Sequence, residues 1–263
     1  MPGMIAALCG HTRLPVILMY HSVSPCLADP YRITVRPERF ARQMRWLRRR
    51  GLTGVSLREL LTMRHSGSGA GLVGLTFDDG YADFAVHAVP ILGDYGFTAT
   101  VFPVVQQLGQ DNAWDPCGPR KPLLTCGQLR QVARAGMEIG SHGLRHVPLT
   151  GLTDEDLDGE VGQSRLALQK ITGQDVDGFC YPWGQVDGRV ADRVRAAGYG
   201  YGCAIARSSL TGRYALPRGY IGDADSAPRL WAKGACHWAG WDYSRPGGPP
   251  PAPPASERGA TRS

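Results

Sequence analysis

Short runs of apolar residues recur along the chain, and between them apolar residues fall three or four positions apart. An uninterrupted apolar run is typical of a buried strand, whereas a spacing of three or four is typical of a helix that buries one face. The predicted strands cover residues 15–20, 72–77, 97–102, 137–140, 178–181 and 200–205. Strands that alternate with helices in this way predict a parallel sheet with helices packed against it.

Capping residues and helix breakers set the limits of the predicted helices. Pro37 lies in the first turn of a helix that Gly51 ends. Ser56 and Thr125 each precede a Glu or Gln by three positions, which is the capping-box pattern. The predicted helices are 37–50, a second one opening at 56, then 81–95, 125–136, 153–172, 189–197 and 227–235.

Two adjacent aspartates, Asp78 and Asp79, directly follow the strand at 72–77. Their carboxylates repel each other, so a fold that holds both at the end of a strand normally has a cation to neutralise them. Two histidines four positions apart, His142 and His146, follow the strand at 137–140. One carboxylate and two imidazoles form a three-ligand site with an open position, which is how a catalytic zinc is held. The remaining aspartate would then be free to act as a base.

The positions of these polar residues favour a closed sheet over an open one. They follow different strands, and barrel enzymes assemble their active sites from several loops at the carboxyl ends of the strands. An open doubly wound sheet is the alternative, but no glycine-rich phosphate loop follows the first strand. We expect one (β/α) barrel domain over residues 1–243, in which the loop 104–124 shapes a substrate groove. The Pro/Gly-rich residues 244–263 are expected to be disordered.

The charge and the cysteine content indicate which partners the protein has and whether its cysteines are reduced. The formal net charge is +6, and part of it comes from arginines on the predicted helix 37–50. A solvated polar face is favoured over a patch for an anionic polymer or a membrane surface, because no nucleic-acid motif accompanies these arginines. The seven cysteines are odd in number and form no C-x-x-C pair, which favours reduced thiols over disulfides.

The amino terminus lacks the positive segment of a signal peptide. No apolar run reaches the roughly 18 residues that a membrane span needs. We therefore expect a cytoplasmic protein with no membrane span and no nucleic-acid partner.

Three motifs follow the predicted strands in order. They are Thr-Phe-Asp-Asp-Gly at 76–80, Ser-His-x-x-x-His at 141–146 and Tyr-Pro-Trp-Gly at 181–184. Together they resemble the polysaccharide deacetylases, which are carbohydrate esterase family four. The resemblance spans most of the chain and includes Leu-Met-Tyr-His at 18–21 and Leu-Pro-Arg at 216–218. It implies an irregular (β/α) barrel with about seven parallel strands.

The resemblance also implies a role for individual motif residues. Asp79, His142 and His146 would bind a divalent metal, usually zinc, and Asp78 would be the general base. The metal would acidify a bound water and polarise the amide carbonyl. The expected reaction removes N-acetyl groups from an N-acetylated amino sugar, in a polysaccharide, an oligosaccharide or a glycoconjugate, and releases acetate.

Tyr181, Pro182 and Trp183 are expected to bind the substrate. Aromatic rings at the mouth of a sugar site stack on the face of a pyranose. Burial of the two aromatic rings in the core is the alternative.

The sequence departs from the family pattern in two places. Many members carry an arginine that orients the base where this chain has Cys180, and we expect Arg218 to reach the base from the next strand end instead. The family's late catalytic acid is a histidine, but the one late histidine here, His237, lies in a different context. His21 is predicted to be catalytic, and the alternative is a buried histidine with a satisfied hydrogen bond. Whether His21, His237 or a water on the metal protonates the leaving amine is left open.

Two other functions are open at this stage. Relatives of this fold hydrolyse other non-peptide amides, such as ureides or formamides, and the released product would distinguish them. A catalytically inactive carbohydrate-binding domain is the second alternative, which the intact Asp78 disfavours.

Overall fold

Parallel strands form the centre of the molecule. The computed structural model of the chain describes residues 14–25 and 28–239, with side chains as far as Lys233. The strands are β1 (Ile17–Tyr20), β2 (Ser22–Val23), β3 (Thr34–Val35), β4 (Thr53–Val55), β5 (Leu72–Phe77), β6 (Thr100–Val101), β7 (Glu138–Ile139), β8 (Gly178–Cys180), β9 (Tyr201–Cys203) and β10 (Gly219–Tyr220). All six strands predicted from the apolar runs are present, as β1 and as β5 to β9.

Hydrogen bonding closes the strands into a ring. Five of them are paired in the order β10-β1-β5-β6-β7, and β8 pairs with β9. Bridges join Ser141, after β7, to Phe179 of β8, and Cys203 of β9 to Leu216, just before β10. All of these pairings are parallel. The described chain therefore forms an irregular barrel of seven parallel strands, which confirms the predicted (β/α) barrel against the open sheet.

Four short strands lie outside the sequence prediction. Three of them, β2, β3 and β10, have two residues each, and β4 has three. β6 and β7 are as short, but each lies within a longer apolar run, whereas the four unpredicted strands show no such period in the sequence. β4 pairs with the first half of β5, on the side where β6 pairs with its second half. β5 thus changes its neighbour along its length, which is one source of the irregularity.

Helices cover the outside of the barrel. They are α1 (Pro37–Arg49), α2 (Leu57–His65), α3 (Val89–Asp94), α4 (Cys126–Arg134), α5 (Asp154–Asp158), α6 (Ser164–Thr172), α7 (Gly188–Ala196) and α8 (Ala227–Ala239). A π-helical turn at Gly159–Gln163 joins α5 and α6 into the one helix that was predicted. A second π-helical turn, Phe84–Ala88, precedes α3, so the helix predicted at 81–95 begins later than expected. The hydroxyls of Ser56 and Thr125 accept the predicted capping bonds from the backbone, and the hydroxyl of Thr153 accepts one from the N–H of Asp156.

Helix α2 closes the barrel at the end where its strands begin. Leu57 and Leu60 are fully buried in one apolar cluster with Ile17 and Tyr201, the first residues of β1 and β9. Gly74 of β5 leaves room for them, because a Cβ atom there would lie 2.6 Å from Cδ2 of Leu57. The polar residues at the carboxyl ends of the strands therefore lie at the opposite end from this apolar floor.

Three expectations concern other features of the chain. No helix in the described part is long and apolar enough to cross a membrane. Cys117, Cys126, Cys180 and Cys203 are free thiols, in line with the cysteine pattern. Residues 1–13 and 240–263 lie outside the described residues, and with them the expectations about a signal peptide and a disordered tail.

Leu60→Ala should lower the free energy of unfolding by about 2–5 kcal/mol, because it leaves a cavity in the barrel floor. Urea unfolding followed by circular dichroism measures the change. Leu166→Ala is the matched control, since Leu166 also lies on a helix but is 66% exposed. Its expected change is within about 0.5 kcal/mol. Equal losses in the two variants would contradict a packed floor.

Candidate metal and catalytic site

A tight backbone turn separates the carboxylates of Asp78 and Asp79. The Asp78 N–H donates to the carbonyl of Tyr20 at 3.0 Å, as a continuation of the β1–β5 pairing. Asp79 and Gly80 then adopt left-handed φ angles of 69° and 74°. Glycine is required at position 80 because a Cβ atom would lie 2.7 Å from Cα of Pro103. As a result, the Asp78 carboxylate faces Arg218 and the Asp79 carboxylate faces the two histidines.

Asp79, His142 and His146 converge on one point. The Nε2 atoms of both histidines lie 3.3 Å from Oδ1 of Asp79. The three ligand atoms lie within 4.8 Å of one another, and all three side chains are buried. The structure thus brings together the three residues that the sequence predicted as ligands.

The chemistry of this donor set fits a divalent metal. Nδ1 of His142 lies 2.7 Å from the carbonyl oxygen of Cys180, an acceptor that places the proton on Nδ1 and leaves Nε2 to face Asp79. One carboxylate oxygen and two imidazole nitrogens leave a fourth tetrahedral position open, as in catalytic zinc sites.

The acid–base properties of the three residues agree with this fit. Burial alone would raise the pKa of Asp79, but hydrogen bonds from His142 and His146 hold it well below its usual value. Burial lowers the pKa of His146, although its hydrogen bond to Asp79 opposes the shift. Burial also acts to lower the pKa of His142, yet Cys180 and Asp79 raise it well above its usual value. The raised pKa means that His142 carries a second proton, on the Nε2 atom that faces Asp79. A bound metal would take the place of this proton.

Arg218 holds Asp78 through both carboxylate oxygens. Its two terminal nitrogens donate to Oδ1 at 2.6 Å and to Oδ2 at 2.8 Å. The remaining donors bind the Thr76 hydroxyl, the Ala204 carbonyl and the Cys180 sulfur, each at 3.1 Å. The guanidinium is therefore fully bonded although its side chain is entirely buried. Arg218 thus lies at the expected place, in contact with Asp78, the aspartate that is not among the three predicted metal ligands.

This ion pair sets the charge of Asp78. Burial alone would raise the pKa of Asp78, but the charge of Arg218 and its hydrogen bonds outweigh burial and lower the pKa. The carboxylate is consequently ionised at neutral pH. It lies next to the three-residue group with lone pairs still available, since a carboxylate can accept about four hydrogen bonds.

A second group of possible ligands consists of Asp78, His142 and Cys180. Burial raises the pKa of the Cys180 thiol to about 11, so the sulfur is protonated at neutral pH and is a poor ligand. Asp78 is already paired with Arg218. The group around Asp79 is therefore the better metal site.

His21 lies beside the acid pair. It follows β1 directly, is half-buried, and has a buried Nδ1 without a hydrogen-bond partner among the described residues. Its charge contributes to the lowering of the pKa of both Asp78 and Asp79. The alternative interpretation was a buried histidine with a satisfied hydrogen bond, but Nδ1 of His21 makes no hydrogen bond to a described residue. The side chain of His237, the other candidate acid, lies outside the described residues.

The segment Tyr181–Trp183 divides between the core and the site. The Tyr181 side chain is buried, and its hydroxyl donates to the carbonyl of Tyr214 at 2.7 Å. Its ring is therefore a core aromatic, the alternative to the expected role in binding substrate. Pro182 is also buried. Trp183 is half-buried with a left-handed φ of 61°, and its ring centroid lies 4.8 Å from that of His146.

Glu160 supports the backbone between the two histidines, a role that the sequence analysis missed. Its carboxylate, buried on the π-helical turn, accepts hydrogen bonds from the backbone N–H groups of Leu144 at 2.7 Å and Arg145 at 3.2 Å. It also pairs with the guanidinium of Arg145. Glu160 lies in a long amphipathic helix, and no motif distinguishes it there from a solvent-exposed acid.

Trp114 is the second residue that the sequence analysis missed. Its ring stacks on the ring of His146, with centroids 4.4 Å apart and an interplanar angle of 28°. It lies in the loop 104–124, which was expected to shape a groove, but no pattern in that loop singles out one residue.

Comparison with known proteins finds a matching family model and several similar proteins. The family model described as polysaccharide deacetylase matches residues 65–202, more than half of the chain. YxkH of Bacillus subtilis (strain 168), whose name puts it among the polysaccharide deacetylases, is 30% identical over 211 residues, which are 78% of this chain and 70% of that protein. The poly-β-1,6-N-acetyl-D-glucosamine N-deacetylase of Escherichia coli (strain K12) is 31% identical over 135 residues, which are 48% of this chain but 20% of that protein.

Solved structures share the barrel. The Streptococcus pyogenes deacetylase PplD, in complex with acetate, superposes with a TM-score of 0.73 at 23% identity. The superposition covers 84% of this chain and 97% of that one. At this level of identity the likeness shows the fold, and it supports the closed parallel barrel described above.

Glu160→Ala should lower the free energy of unfolding by about 1–3 kcal/mol, because the buried N–H of Leu144 loses its acceptor. Glu155→Ala on the same helix is the control, since Glu155 is exposed. Thermal and urea unfolding of both variants measure the difference. A Glu160→Ala protein as stable as the control would show that the turn does not depend on this carboxylate.

Proposed function

The chain belongs to the polysaccharide deacetylase family, and we propose that it is a zinc-dependent hydrolase that removes N-acetyl groups from an amino-sugar glycan. One observation carries the proposal. An ionised carboxylate, Asp78, is fixed by Arg218 directly beside a convergent Asp79–His142–His146 group. A general base beside a metal site is one arrangement by which enzymes activate water for attack on an amide.

Asp79, His142 and His146 would hold the metal. Bound there, a divalent cation supplies a Lewis acid that polarises the acetamide carbonyl and lowers the pKa of water. Zinc is the proposed ion because a carboxylate and two imidazoles with an open position are typical of its catalytic sites.

Asp78 is the proposed general base. Its lowered pKa leaves it ionised, so that it can accept the proton of the attacking water. Both of its oxygens are bonded to Arg218, which fixes the orientation of the carboxylate. The water oxygen adds to the acetyl carbon, the C–N bond breaks, and acetate and a free amine result.

His21 is the proposed acid for the leaving amine. It is the one described histidine beside the acid pair that the metal group does not use, and its buried Nδ1 has no partner in the described part of the chain. Trp183 is proposed to stack on the sugar, because its half-buried ring lies next to His146 at the open end of the barrel.

The proposed substrate is a glycan that contains N-acetylglucosamine. The supporting fact is that relatives from Escherichia coli and Staphylococcus aureus are named poly-β-1,6-N-acetyl-D-glucosamine N-deacetylases. The Staphylococcus aureus relative (strain MSSA476) is aligned over 72% of this chain at 22% identity.

Asp78→Asn should lower acetate release from N-acetylglucosamine oligomers by about 10²- to 10⁴-fold, the usual contribution of a general base. Zinc binding should persist, since Asp79 and both histidines remain.

Chelation of the wild-type protein should abolish acetate release, and addition of zinc should restore it. Asp94→Asn, at an exposed position, is the control with unchanged rates. Stoichiometric zinc without acetate release would move the reaction to another amide, and absence of both would refute the proposal.

Arg218→Met should destabilise the protein by about 3–5 kcal/mol at neutral pH, because it leaves Asp78 buried without its partner. It should also lower deacetylation. The double variant Asp78→Asn/Arg218→Met should recover part of the stability, since the unpaired charge is gone. The stability difference between wild type and Arg218→Met should narrow at acid pH. The reason is that the pKa of Asp78 is lower in the folded protein than in the unfolded chain. Ionised Asp78 therefore stabilises the folded protein at any pH above the ordinary pKa of an aspartate, and this stabilisation is lost as the pH falls through the pKa of the folded state. Full activity of a folded Arg218→Met protein would contradict the assigned role.

A further inference from the structure

The two histidines of the metal group are held in different ways. Nδ1 of His142 is bonded to the carbonyl of Cys180, which fixes the ring. Nδ1 of His146 is buried and has no hydrogen-bond partner in the described part of the chain. Histidines that bind metals almost always donate their second N–H to an acceptor, which sets the orientation of the ring. No described protein group orients the His146 ring through Nδ1, so the packing around the ring is the described constraint on its orientation.

Two indole rings contact the ring of His146. Trp114 stacks on it in a nearly parallel arrangement, with centroids 4.4 Å apart and an angle of 28°. Trp183 lies 4.8 Å away on a tilted plane at 57°. A buried ring in contact with two larger rings has little freedom to rotate about its Cβ–Cγ bond, because protein interiors are close-packed. The contact with Trp114 is the shorter and the more nearly parallel of the two.

Trp114 is itself held in place by the residue that follows it. The buried Asp115 accepts hydrogen bonds from the Tyr81 hydroxyl at 3.3 Å and from the Asn112 side-chain amide at 3.4 Å. Asn112 in turn accepts from the backbone N–H of Lys121 at 2.7 Å. Trp114 therefore lies in a braced loop, and not in one free to adjust to a neighbouring ring.

The same loop is attached to the turn that carries Asp79. The Leu124 N–H donates to the carbonyl of Gly80 at 2.8 Å, and the Ala82 N–H donates to the carbonyl of Pro122 at 2.9 Å. One segment thus contacts Asp79's turn through its backbone and His146 through Trp114. It spans the metal group from its carboxylate to its second imidazole.

We propose that Trp114 is a positioning residue that orients the His146 ring, so that Nε2 faces Oδ1 of Asp79 and the metal is bound tightly. The inference rests on the proposed function in one respect, namely that Asp79, His142 and His146 are the metal ligands. It assigns to stacking the task that a hydrogen bond performs at His142.

A purely structural role for Trp114 must be distinguished from this. Trp114 also packs against a small apolar cluster of Ile33, Tyr81 and Leu123. If Trp114 only filled that cluster, truncation of any other member would weaken zinc binding as much as truncation of Trp114. Leu123→Ala is therefore the matched control, because it weakens the same cluster without touching His146.

The experiment measures zinc affinity of metal-free protein by competition with a chromophoric chelator. Trp114→Leu should weaken zinc binding by about 10- to 100-fold, the usual effect of losing a group that orients a ligand. Trp114→Phe keeps a ring against His146 and should retain most of the affinity. Leu123→Ala should lose stability but keep its affinity. Trp114→Met is a second non-aromatic variant in case the leucine variant does not fold.

The visible absorption spectrum of the cobalt-loaded proteins reports the geometry of the metal ligands and does not change when only the stability of the fold changes. It should change in Trp114→Leu, because the geometry of one ligand changes, and should resemble wild type in Trp114→Phe and Leu123→Ala.

Wild-type affinity and an unchanged cobalt spectrum in both non-aromatic variants would overturn the inference. So would an equal loss of affinity in Leu123→Ala, or a Trp114→Leu protein with a raised KM for oligosaccharides but intact metal binding, which would make Trp114 a substrate-stacking residue. If wild type binds no metal, the proposed function fails and this inference fails with it. If wild type binds metal and the variants do as well, only the inference about Trp114 fails.

Discussion

The mutual repulsion of two adjacent buried carboxylates is the constraint on which the rest of this structure depends. Asp78 and Asp79 are neighbours in the chain, so no fold can move them far apart. The left-handed turn at Asp79 and Gly80 instead points them at different partners, a guanidinium for one and two imidazoles for the other. A buried charge is tolerated when it is paired and hydrogen-bonded. The need for two such partners explains why the site draws on loops after several strands of the barrel.

Local backbone strain accompanies this solution. Asp79, His146 and Trp183 all have left-handed φ angles, which cost of order 1–3 kcal/mol each in residues other than glycine. Such strain persists where the surroundings hold the backbone firmly. Here Glu160 binds the segment before His146, and the π-helical turn that carries Glu160 is itself a feature frequent at functional sites. The strained positions and their supports thus belong to one assembly.

The sequence predicted what is local and missed what depends on distant contacts. The apolar strand before Asp78 and Asp79 and the spacing of His142 and His146 are visible in short windows, so both halves of the metal group could be predicted. Arg218 could be predicted only through the family resemblance, from the Leu-Pro-Arg segment at 216–218 and from the cysteine at position 180, where many members carry an arginine. Trp114 and Glu160 could not be found, because a tryptophan in a loop and a glutamate in a helix carry no mark of what they will contact. Tyr181 had the motif of a site residue, yet the bond of its hydroxyl to Tyr214 fixes it in the core.

The closure of the barrel has a consequence for the order in which the site is made. Ribosomes deliver the chain from its amino terminus, so Asp79, His142 and His146 emerge well before Arg218. A nascent chain that has reached His146 already carries the complete ligand set, but Asp78 still lacks its guanidinium and β1 still has one unpaired edge. The three proposed ligands therefore exist before the proposed base is fixed, and β10, the last of the described strands, both seals the ring and follows directly on the Arg218 that pairs with Asp78.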